Sequence, residues 1–153
     1  MTKILFVCHG NICRSPMAEF CLKDMLAISG TANVTVSSAA TSAEELGNPV
    51  YPPARQKLRE HGIDPSGKRA RRITREDYDG YDIIVAMERC NLRNMLRVIG
   101  GDPENKFRLL MDYTDTPGDV ADPWYTGDFD EAWRDIEKGC SAMLERIKTG
   151  KPL

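Results

Sequence analysis

The sequence predicts an α/β layer fold built on a mostly parallel sheet, and three observations carry that prediction. Strand-like and helix-like runs alternate along the chain with short links between them. The first run, Ile4-Leu5-Phe6-Val7, is apolar without alternation, as a strand buried on both faces should be. The run after it carries apolar residues at helical spacing, Met17, Phe20, Cys21, Leu22 and Met25 to Ile28. A chain of 153 residues suits one domain over 1–153 with room for one core.

The elements follow in order. Residues 3–8 form the first strand. Pro16 opens the first helix, where its missing N–H costs nothing, and Gly30 ends it. Residues 33–38 are the second strand, followed by a small-residue loop through Gly47, Asn48 and Pro49. Pro52-Pro53 start a helix that runs past Leu58 to a Gly62 cap. Thr74 caps a short helix, with Asp77 at the third position as a capping-box partner. Residues 81–87 are the clearest central strand. A helix over 91–99 ends at Gly100-Gly101, and 107–110 form a fourth strand. Residues 112–128 are a long acidic loop, and the last helix runs from near Asp128 past Ile147.

Composition excludes several function classes. A formal net charge of −2 is not that of a nucleic-acid binder. No apolar run approaches the length of a membrane span, and the stretch before Cys8 is too short for a signal peptide. A cytoplasmic protein with no membrane insertion is therefore expected. Five scattered cysteines do not make a secreted disulfide framework. Cys8, His9 and Cys13 lie close together, but no further Cys-x-x-Cys or His-x-x-Cys pair completes a ligand set, so neither metal nor cofactor is expected. Cys21 and Cys140 fall in apolar helical contexts and read as small core residues.

The chemistry concentrates in Cys8-His9-Gly10-Asn11-Ile12-Cys13-Arg14-Ser15. A strand, a tight turn and a helix start form an anion cradle, because the N–H groups there point inward with partial positive charge. Cys8 places a sulfur at its base. Arg14 offers a planar two-pronged donor for a phosphoryl group, and Ser15 a hydroxyl beside the sulfur. The nest, the helix start and Arg14 all favour the thiolate of Cys8. Gly10 permits close backbone approach, and Asn11 tolerates a left-handed turn while bracing the loop. Covalent phosphoryl transfer also needs a proton for the leaving oxygen. Asp112, Asp115, Asp119 and Asp122 are candidates. Asp122 stands out because Pro123 stiffens it and Trp124-Tyr125 follow, aromatics that suit a ring-bearing substrate.

From Lys3 to about Ile147 the chain resembles the low-molecular-weight protein-tyrosine phosphatase family. The likeness rests on Cys8 through Glu19, on Ser38-Ala39-Ala40-Thr41-Ser42, on Asp82 to Met87 with Asn91, and on Asp122-Pro123-Trp124-Tyr125. It implies a three-layer α/β sandwich of phosphotyrosine protein phosphatase I type, with a central four-stranded parallel sheet and helices on both faces. It also implies a metal-independent, two-step hydrolysis of phosphotyrosine proteins and small aryl phosphates. Cys8 is then the nucleophile, Arg14 and the loop of His9, Gly10, Asn11, Ile12 and Cys13 hold phosphate, Asp122 is the acid and then the base, and Ser15 eases thiolate departure. Ile12, Trp124 and Tyr125 would wall the substrate slot. Inorganic phosphate and similar oxyanions would compete, and a monomer or weak homo-oligomer is expected. A Cys8–Cys13 disulfide would protect the nucleophile from irreversible oxidation.

Two departures stand out. Glu44 occupies a position where many relatives carry Trp, so one aromatic wall is replaced by a charge that disfavours acidic peptides. Lys68 stands where a His often supports the phosphate loop, and His9 lies at a variable position. Three alternatives remain at this point. A protein-arginine phosphatase of the same family would favour Thr at Ile12. A thiol-dependent arsenate reductase would need relay cysteines beyond Cys90. A non-catalytic phosphate-binding module would have lost Cys8 or Asp122.

Overall fold

The computed structural model describes residues 1–153. Four strands, β1 (Thr2–Cys8), β2 (Val34–Ala40), β3 (Ile83–Ala86) and β4 (Phe107–Leu109), form one sheet in the order β2-β1-β3-β4. Every pairing is parallel, with Cys8 opposite Ala40 and Val7 opposite Ala86. Six helices surround it: α1 (Arg14–Ser29), α2 (Pro52–Glu60), α3 (Arg75–Gly80), α4 (Arg89–Ile99), α5 (Pro123–Thr126) and α6 (Phe129–Thr149). This is the three-layer sandwich expected.

The layers follow from the two-residue period of β1. Ile4, Phe6 and Cys8 face a core that contains Met17 and Leu22 of α1, Leu58 of α2, and Ile136 and Met143 of α6. Leu5 and Val7 face a second core with Tyr78 of α3 and Met95 of α4. Ile4 through Val7 are fully buried, which explains why β1 reads as a continuous apolar run. Each such side chain contributes roughly 1.5–3 kcal/mol of burial. Cys21 and Cys140 lie in the first core, and the Cys140 thiol meets the Ala18 carbonyl at 3.6 Å across the α1–α6 contact.

Several boundaries differ from the sequence expectation. Helix α1 begins at Arg14, two residues before Pro16. Proline is tolerated there because none of the first four N–H groups has a helical partner. Strand β2 runs on to Ala40 because Ala40 pairs with Cys8 and also with the 71–73 segment. Helix α4 begins at Arg89, where Glu88 and Asn91 form a reciprocal capping box. The acidic 112–128 stretch is not all loop. A 3₁₀ turn spans Leu110–Tyr113, and α5 is capped by Asp122, whose carboxylate accepts from the Trp124 N–H at 3.0 Å. The Thr74–Asp77 capping box is present as predicted. No helix is long and apolar enough to cross a membrane.

Candidate active site

The C-terminal end of β1, the start of α1, the loop at Glu44 and the segment from Asp122 to Tyr125 converge on one pocket of about 400 Å³. Its lining brings together Cys8, His9, Gly10, Ile12, Cys13, Arg14, Glu44, Asp122, Trp124 and Tyr125, as the sequence suggested, and adds Glu45. Asn11 and Ser15 are buried among the residues that hold the loop.

The loop turns sharply because Asn11 takes φ +59°, the left-handed conformation anticipated for it. That turn aims the Asn11 N–H at Cys8 Sγ, 3.3 Å away, and Ser15 Oγ lies 3.0 Å from the same sulfur. The hydrogen-bond network settles which way the Ser15 hydroxyl points. Asn11 Oδ1 accepts from the Arg71 N–H at 3.2 Å, which fixes the amide orientation. Asn11 Nδ2 then donates to Ser15 Oγ at 2.8 Å and to Ser38 Oγ at 2.9 Å. Ser15 is thus an acceptor from Asn11, and its own hydrogen is left for the sulfur. Ser38 passes its hydrogen on to Glu19 Oε1 at 2.5 Å.

Lys68 closes this network from below. Its ammonium donates to the Ser38 carbonyl at 3.0 Å and lies 3.4 Å from Glu19 Oε1, while Lys23 binds the other Glu19 oxygen. Burial holds the Lys68 pKa below its ordinary value against the raising pull of Glu19. The support for Asn11 and Ser15 that the sequence left open therefore exists, with Lys68 and Glu19 at its foot.

Arg14 is almost wholly buried at 2% exposure, which a guanidinium tolerates only when its donors are engaged. Nη1 donates to the Val120 carbonyl at 2.8 Å, and Nη2 donates to Glu88 Oε1 at 3.2 Å and lies 3.3 Å from Asp122 Oδ2. Burial pushes its pKa down, but the Cys8 charge, the Glu88 bond and Asp122 outweigh that and raise it above its ordinary value. Cys13 is the opposite case. Burial first, then the Cys8 charge, hold its thiol far above the usual pKa despite Arg14.

At the pocket mouth Trp124 and Tyr125 are exposed. Trp124 leans on Tyr51, with ring centroids 5.0 Å apart, and the Tyr51 N–H donates to the Ile12 carbonyl at 2.8 Å. On the opposite rim His9 Nε2 and Glu44 Oε2 pair at 2.9 Å, so the charge of Glu44 is partly met within the protein.

Glu19 and Ser38 lie in segments that carry the family likeness but were given no role from sequence, and Tyr51, Glu88 and Val120 were not singled out. Glu19 sits four residues after Ser15 on one helix, and Glu88 follows the end of a central parallel strand, where sites on such sheets gather. Asp112 is exposed and, like Asp115 and Asp119, does not line the pocket. No cluster of three His, Cys, Asp or Glu side chains could hold a metal ion.

Comparison with known proteins agrees with this geometry. Residues 3–152 match the model of the low molecular weight phosphotyrosine protein phosphatase family. The low molecular weight protein-tyrosine-phosphatase YfkJ of Bacillus subtilis is 36% identical over the full length of both chains. Its crystal structure superposes with a TM-score of 0.94 over 99% of this chain and 98% of that one. The human low molecular weight phosphotyrosine protein phosphatase is 35% identical over 94% of each chain. A Drosophila arginine phosphatase, 30% identical, superposes with a TM-score of 0.86 over 96% of this chain and 98% of that one.

Proposed function

Since the chain belongs to the low molecular weight phosphotyrosine protein phosphatase family, we propose that its pocket hydrolyses phosphotyrosine in proteins, and small aryl phosphates, through a phosphocysteine formed on Cys8. The observation that carries the assignment is the sulfur at the base of the loop, faced by the Ser15 hydroxyl at 3.0 Å and the Asn11 N–H at 3.3 Å. Both donors stabilise negative charge on sulfur, at the start of the reaction and again when sulfur leaves.

In the first step Cys8 Sγ attacks phosphorus and the bond to the phenolic oxygen breaks. The loop N–H groups and Arg14 hold the three equatorial oxygens, and Asp122 gives its proton to the leaving phenoxide. In the second step Asp122 takes a proton from water as the water attacks phosphorus. The P–S bond breaks, inorganic phosphate leaves, and Cys8 returns as thiolate with Ser15 donating to it. Positioning and charge stabilisation supply the rate, as is usual for phosphoryl transfer.

Ile12, Trp124 and Tyr125 supply apolar walls for an aryl ring above the cradle. Phosphoserine is too short to bring phosphorus to Cys8 from such a slot. The absence of Thr at Ile12 favours tyrosine over arginine. One domain over 1–153 carries the activity, which needs no added cofactor. A cytoplasmic location fits five free cysteines and the lack of a membrane-crossing helix.

The test is a panel of phosphotyrosine, phosphoserine and phosphoarginine peptides assayed without added metal, with rapid-quench trapping of phosphate on the enzyme. The expected result is highest kcat/KM for phosphotyrosine, label on Cys8, and no turnover by Cys8→Ser. Equal turnover of phosphoserine, or better turnover of phosphoarginine, would overturn the tyrosine slot; label on another residue would overturn the nucleophile.

A further inference from the structure

Beside the catalytic pocket lies a second cleft of about 300 Å³, lined by His9, Thr41, Ser42, Arg72, Asn94 and Arg97 among others. His9 lines both clefts, so they adjoin. Backbone bonds fasten the second cleft to the first. The Thr41 N–H donates to the Cys8 carbonyl at 3.0 Å and the Ser42 N–H to the His9 carbonyl at 3.1 Å. Arg72 is set in place by the bridge between its own backbone and Ala40 at the end of β2. Arg97 comes from the far side, on α4.

The chemistry of this cleft is one-sided. No Asp or Glu lines it. Arg72 uses Nε on the Thr41 carbonyl at 3.1 Å, and its two terminal nitrogens bond nothing in the protein. Arg97 uses Nη1 on Asn94 Oδ1 at 3.3 Å, and its other nitrogens bond nothing. Neither guanidinium forms an ion pair with a carboxylate, whereas Arg14, Arg71 and Arg89 each do. Thr41 is buried, and its hydroxyl has no hydrogen-bond partner, which is uncommon for a buried polar atom. Two exposed guanidinium forks with no opposing carboxylate form a donor set open to an anion, while the Thr41 hydroxyl is enclosed and adds nothing to it.

We propose that this cleft is an oxyanion subsite for a second anionic group, a carboxylate or phosphate, carried by the same substrate chain as the phosphotyrosine in the catalytic pocket. The proposal rests on the phosphatase reading for its substrate but not for the properties of the cleft. It gives the enzyme a direction. An acidic group on the Arg72–Arg97 side is attracted, whereas the one guanidinium lining the catalytic pocket itself, Arg14, is already paired.

The experiment compares phosphotyrosine peptides that differ only at flanking positions, carrying Ala, Glu, Lys or a second phosphotyrosine on either side of the target. The readout is the ratio of kcat/KM for each peptide to that of its Ala parent. On one side only, Glu and the second phosphate should raise the ratio about threefold to tenfold at low salt, and Lys should lower it. The advantage should shrink at high ionic strength and vanish in Arg97→Glu. A gain from the second phosphate alone identifies phosphate as the ligand; a gain from both identifies a general oxyanion site. The same ratios in Arg97→Glu and wild type would overturn the proposal, as would equal gains on both sides. Binding of the peptides to Cys8→Ser, followed through the Arg97 Nε–H resonance, reads the cleft without turnover. Total inactivity of the wild type would therefore strike the phosphatase reading and leave the cleft to be judged by that resonance, whose failure to move with any acidic peptide would also overturn it.

Discussion

Asp122 and Arg14 meet across the mouth of the cradle, with Oδ2 and Nη2 3.3 Å apart. The group assigned to proton transfer thus sits beside the group assigned to phosphate binding before any substrate arrives. On the proposed mechanism, a phosphoryl group would compete with Asp122 for the same guanidinium.

Asp122→Asn should therefore lower kcat about 10²- to 10⁴-fold for an alkyl-substituted phenol, whose oxygen needs the proton. The loss should shrink steadily as the leaving phenol becomes more acidic. The same variant should bind inorganic phosphate more tightly, because a negative neighbour has been removed. A leaving-group series and phosphate inhibition constants check both. A loss independent of the leaving group would show that Asp122 only shapes its loop.

Mild peroxide should convert Cys8 to a sulfenic acid, which condenses with the Cys13 thiol to a disulfide and water. Burial, the larger cause, holds the Cys13 thiol up even once the Cys8 charge is gone, so its attack should quicken as pH rises. Mass mapping should find the Cys8–Cys13 pair, and a dithiol should restore activity. Cys13→Ser should go on to irreversibly oxidised Cys8 and recover poorly. Full recovery of that variant would remove the protective role.

Stability in acid should depend on Asp77. Burial pushes its carboxyl up, but the two Arg71 bonds at 2.9 and 3.1 Å and the Thr74 N–H at 2.8 Å outweigh burial and hold it below its usual pKa. A carboxyl lowered in the folded state stabilises the fold above its unfolded value and ceases to do so as pH falls through the folded one. Asp77→Asn should cost about 1–2 kcal/mol at neutral pH. Below about pH 4 the difference should close. Urea midpoints measured across pH would reveal this, and a pH-independent gap would refute it.

Gly139→Ala should destabilise the protein although alanine is the better helix former. A Cβ at that position would lie 2.4 Å from Cγ of the fully buried Leu110. Overpacking of this kind costs about 1–3 kcal/mol, against at most about 1 kcal/mol gained in helix propensity. Adding Leu110→Ala to Gly139→Ala should cost less than Leu110→Ala alone costs the wild type, which a double-mutant cycle measures.

The parts of this protein that were legible in the sequence are those written contiguously. Cys8 to Ser15 show the turn, the sulfur and the guanidinium within eight residues, and Asp122-Pro123-Trp124-Tyr125 shows the acid with its stiffener and aromatics. The parts that were not legible are assembled from distant segments. Lys68 reaches Ser38 and Glu19 only because β2, α1 and the 66–72 stretch stack in space. Val120 matters through its carbonyl, which any residue possesses, so no side chain advertises it. Asp122 doubles as a helix cap, a role hidden in what reads as loop because α5 is a single turn.

The placement of β1 inside the sheet makes the shape of the Cys8 loop depend on segments far along the chain. Cys8 ends a strand flanked by β2 and β3, and β3 closes only at Ala86. Arg14 waits for Val120, and α1 is covered by α6 through contacts such as Ala18 with Cys140. The loop is therefore held by contacts that span most of the chain, and a change as distant as α6 has a packed route back to Cys8.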